Sequence, residues 1–146
     1  MGLTGRTIEA RSSEGAVRID SITVDARHPA SLARFWAAAL DGYAVLAYDE
    51  AEVARLAALG FTPETDPTVM VDGPGPTLCF QKVPGRTKGR NRWHLDLVGA
   101  PREAEVERLC ALGARVRDVH DGWTTLLDPE DNPFCVLDPR EGQRIA

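Results

Sequence analysis

Apolar and polar positions along this chain fall into two series with the same order. Residues 17–26, VRIDSITVDA, alternate, with Ile22 and Val24 on one side and Ser21, Thr23 and Asp25 on the other. That pattern predicts a strand with one covered face. His28-Pro29 opens a helix, because proline suits a first helical turn, and Leu32, Phe35, Trp36 and Leu40 form its apolar stripe before Gly42 ends it. A short strand is expected over 43–48. A second helix follows over 49–60, acidic at its start and closed by Gly60, as the helix dipole and a left-handed exit favour. Strands over 68–73 and 77–83 flank the turn Gly73-Pro74-Gly75-Pro76. No helix follows that turn, so it lacks the amide array that cradles a phosphate.

The second half repeats the order. Residues 92–98 alternate, with Trp93, Leu95 and Leu97 on the face expected to meet a helix and His94 and Asp96 on the other. Pro101 opens a helix whose stripe is Val106, Leu109 and Cys110, and Gly113 closes it. ARVRDV, GWTTLLDP and PFCVLDP then read as three strands. The order β-α-β-β-β therefore occurs twice, the first copy lengthened by the helix at 49–60. Ile22 and Val24 stand against Leu95 and Leu97, and Cys79 stands against Cys135, as an internal duplication requires. The polar residues 1–16 are expected to form a flexible tail, and 17–146 a single domain. Module 1 covers about 17–84 and module 2 about 91–138, joined by a basic connector with Arg86, Lys88, Arg90 and Arg92.

Composition narrows the class of partner. A net charge of −5 over 146 residues argues against a nucleic-acid polyanion. No apolar run approaches the ~18 residues of a membrane span, and the first residues carry no apolar core of a secretory signal. Three cysteines, Cys79, Cys110 and Cys135, cannot all pair within one chain. Reduced thiols in a cytoplasmic protein are the expectation.

Four segments, SLARFWAAALDGY (31–43), NRWHLDLV (91–98), RLCALGARV (108–116) and DPEDNPFCVL (128–137), together resemble the vicinal-oxygen-chelate superfamily in its glyoxalase-like branch. The last segment is similar to that branch's Asp-Pro-x-Gly-Asn turn, with Asp131 where glycine is usual. The resemblance implies an α+β fold in which two βαβββ modules form a curved, mostly antiparallel sheet around a central pocket. It also implies function classes ranging from lyases and isomerases to drug-binding resistance proteins, so the fold alone leaves function open. Covering of the modules' sheet edges by pairing between chains is common in the superfamily, and a homodimer is expected. The helix at 49–60 is expected to cover one end of the pocket, because Val53, Leu56 and Leu59 need a surface to bury.

The resemblance assigns four metal-ligand places, and carried over position by position they fall on Ser21, Cys79, His94 and Cys135. Only His94 is a usual ligand of the family. A zinc site of His94, Cys79 and Cys135 is one reading. The other takes both cysteines as small apolar residues lining strands, and it is preferred because Ser21 is a poor ligand and no carboxylate stands at the four places. No tightly bound cofactor is therefore expected. The expected ligand is a small organic molecule, met by Ser21, Thr23, Asp25, Cys79, Gln81, His94, Asp96, Trp123, Cys135 and Leu137. His94 is the candidate acid or base, since imidazole titrates near neutral pH. A binding protein is the first expectation, and an enzyme of lyase or isomerase type, metal-assisted or using His94, is the alternative.

Overall fold

A computed structural model describes residues 21–85 and 94–139. The expected tail and the basic connector with Trp93 lie outside them. In chain order the elements are β1 (Ser21–Ala26), α1 (Pro29–Ala39), β2 (Ala44–Val45), α2 (Glu50–Ala58), β3 (Thr68–Asp72), β4 (Thr77–Lys82), β5 (Leu95–Val98), α3 (Arg102–Leu112), β6 (Arg115–Val119), β7 (Trp123–Leu127) and β8 (Pro133–Leu137). They build an α+β fold of two four-stranded sheets, ordered β1-β4-β3-β2 and β5-β8-β7-β6. In each, the first strand runs parallel to the last and the other pairs are antiparallel. The repeated order read from the sequence thus becomes a repeated topology. The fold expected from the sequence is realised as two four-stranded mixed sheets that are not closed.

The core is shared between the modules. Leu32, Ala33, Phe35 and Trp36 of α1 are buried with Val69, Val71 and Phe80 of the first sheet and Leu126, Phe134 and Val136 of the second. Phe35 and Trp36 both meet Phe134 edge-on, the ring centres 6.3 and 5.1 Å apart. The second module also finishes the ends of α1. The helix starts at His28-Pro29, where the His28 side chain makes no capping hydrogen bond. Instead, Glu130 from the β7–β8 turn accepts hydrogen bonds from the backbone N–H groups of Arg27 (2.5 Å) and His28 (3.2 Å). At the other end, the Arg108 guanidinium of α3 donates to the carbonyls of Ala38 and Ala39, both at 2.9 Å. An anion at the N-terminus and a cation at the C-terminus both complement the helix dipole.

Between these ends the carboxylate of Asp128, almost fully buried, accepts from Trp36 Nε1 at 3.2 Å, from the N–H of Glu130 at 2.8 Å and from the N–H of Asn132 at 2.9 Å. Burial pushes the Asp128 carboxyl above its usual 3.8, against the opposing pull of these donors. Asp131, in the same turn, has φ +68°, a conformation glycine adopts freely and Asp tolerates. This accounts for aspartate at a place where glycine is usual.

Three local expectations are revised. Over 43–48 the strand is limited to Ala44–Val45, followed by one hydrogen bond from the Leu46 N–H to the Met70 carbonyl at 3.0 Å, and the Tyr43 hydroxyl before it donates to the Pro76 carbonyl at 3.1 Å. A Cβ at Gly73 would lie 2.5 Å from the Tyr43 ring, so glycine there makes room for an aromatic side chain. Of the apolar residues of α2, Leu56 is buried while Val53 and Leu59 stay exposed, so the helix covers much less than expected. Leu97 joins the core, but Leu95 is exposed, because α3 packs on β8 and β6 and leaves the edge strand β5 partly uncovered.

Candidate functional site

Strand register brings the chemistry of the second module onto one face. Asp96 on β5 is the direct partner of Cys135 on β8, and Thr125 on β7 is the partner of Cys135 from the other side. His94 lies two residues before Asp96, so strand alternation returns it to the same face. The side chains meet there. His94 Nε2 is 3.1 Å from Cys135 Sγ and 3.4 Å from the Asp96 carboxylate, and Thr125 Oγ1 is 3.4 Å from Cys135 Sγ. Burial is graded across the group: Cys135 is 8% exposed, while the His94 and Asp96 side chains are 43% and 62% exposed. The thiol is anchored in the sheet and the imidazole and carboxylate face outward.

Trp123 and Leu137 are register partners on the same two strands and stand two positions from Thr125 and Cys135, so they share this face. The Trp123 ring is 42% exposed and stacks on His120, their centres 4.6 Å apart. The face therefore carries an aromatic platform beside a polar cluster. On the first sheet the corresponding positions are aligned but chemically plainer. Thr23 partners Cys79 and Asp25 partners Gln81, with Ser21 at the strand start, and Cys79 is half-buried opposite Met70.

The sequence expectation grouped His94 with Cys79 and Cys135. Among the described residues, the donor atoms that lie within 4.8 Å of one another belong to His94, Asp96 and Cys135, and Cys79 is not among them. Alternation in the sequence already puts His94 and Asp96 on one strand face; what it does not show is the β5–β8 register that sets Asp96 directly beside Cys135. The expectation of a cavity without a tightly bound ion rested on there being no carboxylate at the four carried-over places; Asp96, expected on the same face, stands beside Cys135. One imidazole, one carboxylate and one thiol make a borderline-to-soft set that fits zinc. Mn(II) is better served by oxygen donors.

Comparison with known proteins gives the same architecture. The model of the glyoxalase-like domain family matches residues 21–137. A search of curated proteins returns no match. Among solved structures, the chain is similar to a glyoxalase/bleomycin resistance protein/dioxygenase family enzyme from Burkholderia phytofirmans PsJN, at 13% identity and TM-score 0.62, over 84% of this chain and 98% of that one. It is similar to a glyoxalase-related enzyme from Fulvimarina pelagi at 14% identity and TM-score 0.59, over 84% and 88%. A mutant of the fosfomycin resistance protein FosX from Listeria monocytogenes, complexed with Mn(II) and 1S,2S-dihydroxypropylphosphonic acid, matches at 10% identity and TM-score 0.57, over 86% and 90%. At such identities the likeness is one of fold.

Proposed function

The chain belongs to the glyoxalase-like domain family, and from that premise we propose that it binds a small organic molecule against the face carrying His94, Asp96, Cys135 and Trp123. The observation that carries this reading is the cluster itself: an exposed imidazole held 3.1 Å from a buried thiol, on a sheet face that also carries an exposed, stacked tryptophan. A few convergent polar groups beside an apolar platform are what selective binding of a small molecule requires. Trp123 offers a flat apolar contact, and His94 offers a donor or acceptor. The first sheet contributes Ser21, Thr23, Asp25, Cys79 and Gln81 as the opposite wall, and Leu137 adds apolar surface.

A small-molecule library screened by thermal shift tests the reading. Compounds that raise Tm are expected to lose at least tenfold in affinity in both His94→Ala and Trp123→Ala, about 1.4 kcal/mol. Hits retained at full affinity by both variants would refute it.

The second reading is an enzyme of lyase or isomerase type, favoured by the exposure of His94, which leaves its ring open to a bound substrate. His94 would then take and return a proton, with Asp96 orienting the imidazole. A bound zinc would supply polarisation of a substrate oxygen. Turnover of a screened hit that His94→Gln abolishes, with binding intact, supports this reading.

The protein acts as a homodimer in the cytoplasm, with reduced thiols and no nucleic-acid partner. Edge strand β6, exposed along its whole length with Val116 and Val119 uncovered, supports the dimer. Among the described residues no helix is long and apolar enough to cross a membrane.

A further inference from the structure

We infer that His94, Asp96 and Cys135 form a zinc site contained within the second module, with the Cys135 thiolate as its innermost ligand and Cys79 taking no part. The inference rests on the reading that this face is the ligand-binding face, and it adds what chemistry sits there. Strand geometry supplies the set. A His-x-Asp pair places two donors on one face of β5, and the parallel register with β8 puts Cys135 directly beside Asp96. All three donor atoms lie within 4.8 Å of one another, a spread that ligands of one ion can close with small side-chain rotations.

Three protein donors leave one position of a tetrahedral zinc open to water or to a donor atom of the small molecule. The graded burial fits this. The thiol sits in the sheet, the carboxylate and imidazole face solvent, and the open position falls on the exposed side. On binding, the proton of the Cys135 thiol and any imidazolium proton of His94 are released to solvent, and the thiolate and neutral imidazole remain as ligands. Thr125 Oγ1, 3.4 Å from Cys135 Sγ and buried, is placed to donate a hydrogen bond to the thiolate, an outer contact of the kind that orients a metal ligand.

The duplication provides a built-in control. Cys79 occupies the position of Cys135 in the other sheet, but its module has Ser21 where the second has His94. Cys79 and Cys110 are both more exposed than Cys135. Exposure alone therefore predicts that alkylating reagents reach Cys79 and Cys110 first, and that zinc changes none of the three. The inference predicts a different response: zinc protects Cys135 and leaves the others unchanged.

The test uses the full chain, reduced, stripped with a chelator and then titrated with zinc. Calorimetry should give one zinc per chain. Iodoacetamide labelling, mapped by mass spectrometry, should slow at Cys135 at least tenfold on zinc addition and stay constant at Cys79 and Cys110. Cobalt(II) should give a thiolate-to-metal charge-transfer band that is absent in Cys135→Ser.

Asp96→Asn, at an exposed position where the fold does not depend on the side chain, should weaken zinc by about ten- to a hundredfold, and His94→Gln by more. Zinc that leaves Cys135 labelling unchanged, protection of Cys79 to the same degree, or a cobalt spectrum without a thiolate band would each overturn the site. The thermal-shift hits separate the two proposals. Failure of zinc binding with His94-dependent hits intact defeats this inference alone, and zinc binding without such hits defeats the ligand reading alone.

Discussion

Replacing Asp128 by alanine tests the joint between the two modules. In the native chain the Asp128 carboxylate is the acceptor for the Trp36 indole N–H, inside the core, and for the backbone N–H groups of Glu130 and Asn132, in a half-buried turn. Alanine removes the acceptor and leaves the donors in place. A buried indole N–H without a partner costs about 1–3 kcal/mol, and the two turn amides, which water can partly reach, about 0.5–1.5 kcal/mol each. Asp128→Ala should therefore cost about 2–6 kcal/mol, a large part of the 5–15 kcal/mol that ordinary domains possess.

Urea unfolding followed by tryptophan fluorescence and by circular dichroism measures this loss, and a lower midpoint with an unchanged slope is expected. A double-mutant cycle isolates the indole contribution. Trp36→Phe takes away the donor, so the orphaned-group penalty disappears in the double variant, and the two losses should fall short of additive by about 1–2 kcal/mol. A loss below about 1 kcal/mol for Asp128→Ala, or strict additivity, would refute the claim that this carboxylate ties α1 to the second module.

Four further expectations follow from the same geometry. Because burial raises the Asp128 carboxyl above 3.8, the part of its stability linked to protonation is full below that value and lost as pH rises through the raised folded value, while its role as an acceptor persists; the stability difference between wild type and Asp128→Asn should shrink with rising pH in that window, and a flat difference would count against it. Glu130→Ala removes the anion that caps α1 and should cost about 0.5–2 kcal/mol in the same urea assay. Asp131→Val forces a β-branched residue to φ +68° and should cost about 1–2 kcal/mol, while Asp131→Gly should stay within about 1 kcal/mol of wild type. Val119→Lys, at a residue 72% exposed on edge strand β6, should convert a dimer to a monomer in sedimentation velocity at micromolar concentration, and a dimer that persists would move the interface elsewhere.

What the sequence made legible was local order. The alternation in 17–26 and 92–98, the stripe of Leu32, Phe35 and Trp36, and the glycine stops are short-range signals, and each module's element order follows from them. The contacts that join the modules span much longer separations. Trp36 with Asp128, Arg108 with Ala38 and Ala39, and Glu130 with Arg27 link residues 69 to 103 positions apart, and no periodicity encodes such partners. Leu95 misleads for a related reason: alternation fixes its face, but not whether α3 extends over an edge strand. At the site, alternation puts His94 and Asp96 on one face, but the β5–β8 register that sets Asp96 beside Cys135 joins distant strands, and no local pattern encodes it.

The way α1 is finished has a consequence for synthesis. The amides of Arg27 and His28 that lead into the helix and the indole of Trp36 wait for Glu130 and Asp128, and its C-terminal carbonyls for Arg108. The helix is thus complete in sequence by Ala39, but its last partner, Glu130, is added 91 residues later. At translation rates of about 5–20 residues per second, that delay is on the order of 5–20 s. During this interval the first module exists with its central helix uncapped and the apolar faces of Phe35 and Trp36 uncovered by Phe134. The nascent chain therefore presents an open apolar surface until the β7–β8 turn emerges. The domain folds as a clasp that can shut only when its far end arrives.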